Sequence, residues 1–295
     1  MKRPQRGWSV AEFMVAMVLG LLLCLLASGL LAASGSNYRN HHENAWLEEG
    51  GRHALQIMAQ SVRQAGYVNW DRDTAPPELE PDTPAAIDGL DAASIGRNSE
   101  GISVPLPSVA NGSDVLAVRF SGAGGGSTGD GSSLNCAGFG VAGDTRAWSI
   151  FYLATDDGGE NELRCKYRSA GGWGADAIVR GVDSFQVLYG LDTDVPADGV
   201  PNTYLNASAI RALDAAAPAE QHWKRVCSVR LALLLHGEHN TRADTVDTRF
   251  DLFGPAYADG RDIGTQLQES RLPPSQRLRA RKVFSMTVAL RNRGG

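Results

Sequence analysis

Three regimes of hydrophobic patterning follow one another along the chain. From Trp8 to Ala33 nearly every position is apolar and the only charge is Glu12, with 21 uncharged residues from Phe13 onward. A helix of that length spans about 30 Å, the hydrocarbon thickness of a bilayer. Ser34 to Asn40 is polar. A 3.6-residue period then begins: Leu47, Ala54, Met58, Val62 and Ala65 fall on one stripe. Glu43, Glu48 and Glu49 lie early and Arg52 and Arg63 late, as a helix dipole prefers. Gly50-Gly51 interrupts the stripe, and Gly66 reads as its C-terminal cap. The simplest reading is one long helix, apolar all round at first and amphipathic over 34–66.

Residues 67–113 show no sustained period and read as a connecting region, with a short element at Ile102–Leu106. Strand signals then dominate: Val115–Ser121, Ala147–Ala154, Glu162–Tyr167, Asp183–Tyr189, Arg225–Leu235 and Val283–Arg291. Asp156 to Asn161 reads as a hairpin loop. A long helix followed by antiparallel strands predicts an α+β fold.

Charge sharpens this picture. The 295 residues carry a net charge of −5, which argues against a nucleic-acid binder. The charge is segregated. Lys2, Arg3 and Arg6 precede the apolar run with no acid among them. Seven basic residues and no acid lie in 271–295, whereas 8–270 holds 18 basic and 33 acidic residues. The basic leader predicts a cytoplasmic N-terminus and an exported body. The basic tail reads either as an edge strand guarded by charge or, through Arg279, Arg281 and Lys282, as a contact for an acidic neighbour.

The apolar run admits a cleaved secretory signal ending at Ala32-Ala33-Ser34, an ordinary signal anchor, or a buried core helix. None of these explains Glu12, because a carboxylate deep in a membrane helix costs about 2.5–3.5 kcal/mol.

Arg6-Gly7-Trp8-Ser9-Val10-Ala11-Glu12-Phe13 resembles the class III signal of type IV prepilins: a short basic leader ending in Gly, an aromatic residue, Ser or Thr, two apolar residues, Glu, and a long apolar helix. Trp8, Ser9 and Val10-Ala11 depart mildly from the commonest residues of that pattern. The proline many major pilins carry further along is absent, so any local unwinding would rest on Gly20 and Gly29. The resemblance implies cleavage by prepilin peptidase between Gly7 and Trp8 and methylation of Trp8. The product would have 288 residues and a net charge of −8. Glu12 would then lie about 6 Å along the helix from the new amine and could neutralise the amine of a neighbouring subunit during assembly.

Gly181 to Gly190 with Asp192-Thr193-Asp194, Val283 to Asn292, and the helix end Ala59–Tyr67 resemble the PilW family of minor pilins. The resemblance implies a pilin-like fold in four parts. These are a leader (1–7), a transmembrane and fibre-core helix (8–33), an amphipathic helix half (34–66) and a periplasmic β-rich body (67–295). It implies an inner-membrane protein, single-pass, that joins other minor pilins and the major pilin, with a tip adhesin as a further partner, to prime the type IV pilus and stay at its tip. It implies no cofactor and no direct nucleic-acid contact. A type II secretion pseudopilin shares the signal and helix. An exported binding protein or hydrolase with an ordinary signal peptide is the alternative from another class.

Export places Cys136, Cys165 and Cys227 in an oxidising compartment. Cys136 and Cys165 flank a predicted strand pair, and their pairing is favoured over pairs involving Cys227. Cys24 reads as a small apolar residue of the helix. Gly124 to Gly129 matches both G-x-G-x-x-G and G-x-S-x-G, but no helix follows it, so it reads as a flexible loop. His236-Gly237-Glu238-His239 lacks metalloprotease spacing. Asp192, Asp194 and Asp198 have a faint likeness to a calcium loop without its closing Glu. No nucleophile, base and orienter can be assembled, and the chain is read as a non-enzyme.

Overall fold

The computed structural model describes residues 9–69, 83–169, 171–242, 244, 246–257 and 262–292. Helix α1 runs from Val10 to Gln64 without a break, 55 residues or about 80 Å. It passes intact through Gly20 and Gly29, where a Cβ would meet nothing within 4 Å, so neither glycine unwinds it. Ala65 leaves the helical region at ψ 135°. Gly66 follows at φ +70°, and its N–H donates to Arg119 O at 2.9 Å. The chain therefore turns one residue past the cap. Every member of the stripe Leu47, Ala54, Met58, Val62 and Ala65 is buried, at 1% exposure or less.

The body supplies what that stripe packs on. In chain order its elements are β1 (Ile87–Leu90), β2 (Ala93–Ile95), β3 (Pro105–Pro107), β4 (Val115–Ser121), β5 (Arg146–Thr155), β6 (Asn161–Ser169), β7 (Gly172–Arg180), β8 (Val182–Leu191), β9 (Thr203–Leu205), α2 (Ala207–Ala216), β10 (Val226–Asn240), β11 (Arg249–Asp251), β12 (Gln266–Gln268) and β13 (Arg279–Ala289). Five strands form one sheet in the order β1-β4-β5-β6-β7, and four form another in the order β13-β10-β8-β9. Every ladder is antiparallel. The chain changes sheets at Gly181, which adopts φ +72° and whose carbonyl accepts the His236 N–H at 2.8 Å.

Side-chain alternation explains why β8 and β10 are apolar along their length. Phe185, Val187, Tyr189 and Leu191 of β8, with Val229, Leu231, Leu233 and Leu235 of β10, enter the main core. There they meet Leu116, Val118, Phe151 and Leu163 of the first sheet and the α1 stripe. The intervening Leu188, Ala232 and Leu234 point to the opposite face and are covered by Leu252, Phe253, Leu267 and Leu272. A strand buried on both faces needs no polar alternation. Each such buried aliphatic contributes about 1.5–3 kcal/mol.

Residues 83–113 carry more order than a connection. Ala93, Ile95 and Ile102 close the outer face of the first sheet over Val115, Ala117, Ile150 and Tyr152. β1 to β3 are too short for a periodic signal, and the element expected at 102–106 forms as β3, centred on Leu106. β7 (GWGADAIVR) and α2 also escaped the sequence reading. Gly and Ala dilute the β signal in the first, and α2 spans only ten residues.

Candidate functional site

The candidate site is the start of α1 and the junction that holds α1 to the body. Gly7 and Trp8 lie outside the described residues. Ser9 is the helix N-cap, with extended backbone at φ −80° and ψ 151°. Its hydroxyl accepts the Glu12 N–H at 3.2 Å, and Glu12 Oε2 accepts the Ser9 N–H at 2.9 Å and the Ser9 hydroxyl at 3.1 Å. This is a capping box, S-x-x-E, in which two orphan amides are satisfied reciprocally. Glu12 thus has a local role that the sequence reading missed, although Ser9 three residues before Glu12 was a legible signal.

Around Glu12 the helix is exposed and apolar: Val10 77%, Phe13 61% and Leu25 69% exposed. Over its most apolar window mean hydropathy is 2.6 and no residue is buried. By length and composition the helix can cross a membrane. A carboxylate in such surroundings needs a partner, and among the described residues the Ser9 groups supply it.

Three contacts fasten the helix where it reaches the body. Glu43 is buried, and its carboxylate takes the Glu238 N–H at 2.9 Å and His239 Nδ1 at 2.7 Å. Glu48 pairs with Lys282 of β13 and with Arg52 at 3.4 Å. Gly50 and Gly51 allow close approach: a Cβ on Gly51 would sit 2.5 Å from the Phe284 ring, and one on Gly50 would lie 3.0 Å from Val179. The glycine pair that looked like an interruption is a packing notch.

The basic strand β13 is occupied from within. Arg281 is fully buried, donating to Asp183 at 2.7 Å and Glu269 at 3.3 Å. Arg279 binds Glu160 at 3.0 Å, and Glu160 also holds His236 Nε2 at 2.8 Å. Arg242 adds a second cation to Glu269 at 2.5 Å. The expected contact between these cations and an acidic neighbour gives way to an internal network, because a buried guanidinium must be matched by carboxylates of its own fold. The two histidines of His236-Gly237-Glu238-His239 are likewise committed to Glu160 and Glu43.

Cys136 and Cys165 form a disulfide, with Cα atoms 5.9 Å apart, while Cys227 is a buried thiol and Cys24 an exposed one. The bond ties the loop after the glycine run to β6. That run is a turn, with Gly124, Gly126 and Gly129 at positive φ. Asp192, Asp194 and Asp198 place carboxylate oxygens within 4.8 Å of one another. Their oxygens accept backbone N–H groups: Asp192 from Asp194 at 3.1 Å and Gly199 at 2.6 Å, and Asp198 from Val200 at 2.8 Å. The loop is accounted for by these turns.

One buried cation was not foreseen. Lys166 lies on β6, and its Nζ donates to the carbonyls of Gly96, Ser99 and Gly101 at 2.9, 2.7 and 3.0 Å. It sits 4.9 Å from the centre of the Trp173 ring. Burial pushes this amine down to about 8, against the opposing pull of Glu100.

Residues 150–292 match the family model of PilW, the type IV pilus-assembly protein W. This segment, just under half of the chain, is similar to the PilW family. It runs from within β5 past the end of β13 and includes both patches, around Phe185 and Phe284, that carried the resemblance. The PilW match supports a type IV pilus-related protein, and the apolar first helix fits a membrane-anchored pilin. No curated protein matches the chain. Among solved structures, a type IV-like pilin from Thermus thermophilus aligns over 84% of this chain and 97% of its own, at 13% identity and a TM-score of 0.39.

Proposed function

We propose that the protein is a minor pilin of the type IV pilus. Prepilin peptidase cuts it between Gly7 and Trp8, Trp8 is methylated, and it joins other minor pilins and the major pilin to prime the fibre. One observation carries this reading: a lone carboxylate, Glu12, stands at the start of an exposed apolar helix in a chain whose residues 150–292 match PilW. While the chain is alone, Glu12 closes the helix N-terminus through Ser9. In a bundle of such helices the same carboxylate faces the amine of a neighbouring subunit, and this charge pairing sets the helix register. The body stays periplasmic and makes the lateral contacts, with a tip adhesin among its partners.

The mature N-terminus tests the reading. Mass spectrometry should find methylated Trp8 as residue one, whereas a start near Gly35 would end it in favour of an ordinary signal peptide. A deletion strain should lose pili and retain exoprotein secretion. Loss of secretion with normal piliation would transfer the protein to a type II secretion system.

A further inference from the structure

A short length of α1 separates the apolar run from the body and belongs to neither. The run ends at Ala33, and among the described residues Glu43 is the first on the helix to be buried. Between them Tyr38 is 71% exposed, and Arg39, His41 and His42 are exposed as well. From Phe13 to His42 the one charged side chain is Arg39, and there is no carboxylate. The acids that follow are turned to other partners: Glu43 binds His239, and Glu48 binds Arg52 and Lys282.

The spacing sets this stretch at the outer surface of a bilayer. Tyr38 lies about 7.5 Å past Ala33 along the helix, and a headgroup layer is about 5–8 Å deep. Side chains on an α-helix lean toward its N-terminus, so here they lean toward the membrane. Tyr38, Arg39 and His42 therefore cover the turn over 34–38, within that layer. Tyr38 stands about two and a half turns before Leu47, and His42 the same before Gly51. Both project from the side of the helix opposite those two body contacts. Their ring centroids lie 6.4 Å apart, so the imidazole braces the phenol.

We propose that Tyr38 and Arg39, braced by His42, bind the headgroup of an anionic phospholipid at the periplasmic membrane surface and so set how far α1 inserts. Tyrosine favours this layer because its ring is apolar and its hydroxyl can stay wet. A guanidinium holds a phosphate through paired hydrogen bonds. With no carboxylate from Phe13 to His42, nothing in the stretch attracts the ammonium of a zwitterionic lipid. The lone cation therefore favours a headgroup of net negative charge, by about fivefold. The inference rests on the membrane-anchored reading of the first helix and needs neither cleavage at Gly7 nor an assembled pilus.

The test uses the full chain in nanodiscs of equal parts phosphatidylcholine and phosphatidylglycerol. A benzophenone amino acid replaces Leu22, in mid-membrane, or Asn37, beside Tyr38, and mass spectrometry identifies the photo-adducts. Leu22 should capture the two lipids equally. Asn37 should favour phosphatidylglycerol about fivefold, and Arg39→Gln should return it to the Leu22 ratio. Tyr38→Ala should at least halve the lipid adducts at Asn37. Lipid adducts at Leu22 with no preference at Asn37, a preference that survives Arg39→Gln, or Asn37 adducts chiefly to a second copy of the chain would overturn the headgroup site and leave the membrane anchor standing. An unchanged yield in Tyr38→Ala would overturn the part given to the phenol. No lipid adduct at Leu22 would overturn the anchor itself, and the headgroup site with it.

Discussion

The Phe284 ring of β13 rests on the backbone of α1 at Gly51, at a distance where no side chain fits between them. This contact joins the long first helix to the β-rich body. It predicts opposite outcomes for the same substitution at two helix glycines. Gly51→Ala should lose about 1–3 kcal/mol to overpacking, more than the 0.5–1 kcal/mol that alanine gains in a helix. Gly20→Ala meets open space and should not destabilise. Thermal melting followed by circular dichroism in detergent checks both, and a Gly51→Ala protein as stable as the parent would show that the notch is dispensable.

The capping box and the proposed assembly charge of Glu12 can be separated. Ser9→Ala should weaken the helix start by about 1 kcal/mol while leaving the carboxylate available. Glu12→Gln keeps a side chain that can accept the Ser9 N–H but removes the charge. Peptidase processing should persist in both. Piliation should fail in Glu12→Gln and survive in Ser9→Ala; the reverse pattern would make Glu12 a cap and no more.

The disulfide joins residues 29 apart, and closing a loop of that size stabilises a fold by about 3–4 kcal/mol in the chain-entropy model. Replacing Cys136 and Cys165 together by Ser should lower stability by that order, as should reduction of the parent protein. Cys227→Ala should leave the Cys136–Cys165 link in a non-reducing peptide map unchanged, since the buried Cys227 thiol donates to the Gly190 carbonyl and stands outside that bond.

Lys166 gives stability a defined pH dependence. Its amine is lowered from 10.5 to about 8 by burial, so between those values the unfolded chain holds a proton that the folded chain has shed. Stability from this group therefore rises with pH from about 8 to 10.5, with a slope of at most about 1.4 kcal/mol per unit. Below 8 the full cost of burying the charge is present. Denaturant melts of the parent and Lys166→Met should differ in slope across that window, the variant being flatter; parallel profiles would contradict the buried-cation description.

Arg281 and Lys282 are adjacent but should respond very differently. Arg281→Ala leaves the buried carboxylates of Asp183 and Glu269 short of a cation and should cost about 3–5 kcal/mol. Lys282 is 49% exposed, and Lys282→Ala should cost no more than about 1 kcal/mol. Urea unfolding of the two variants makes the comparison, and similar losses would mean that the Arg281 network contributes little.

The strong local signals were readable without a structure. The long apolar helix and its stripe from Leu47 to Ala65, the principal strands from Val115 to Val283, and the pairing of Cys136 with Cys165 each rest on a few residues close in sequence or on a compartment. Of the two readings of the basic tail, the edge strand holds, since β13 ends its sheet; its internal partners were not legible because Asp183 and Glu160 lie about a hundred residues or more from Arg281 and Arg279 along the chain and meet them only in the fold. Gly50-Gly51 looked like a break because the ring that requires it lies more than two hundred residues away.

What the sequence by itself determined is the order of environments, an apolar helix able to span a bilayer and then an antiparallel body, because hydrophobic periodicity is a local property of the chain. Only the tertiary structure decided which charges are paired inside the fold, which glycines are contacts, and why Lys166 is buried among carbonyls. Those outcomes depend on desolvation and on backbone pairing between distant segments, and neither exists until the segments meet.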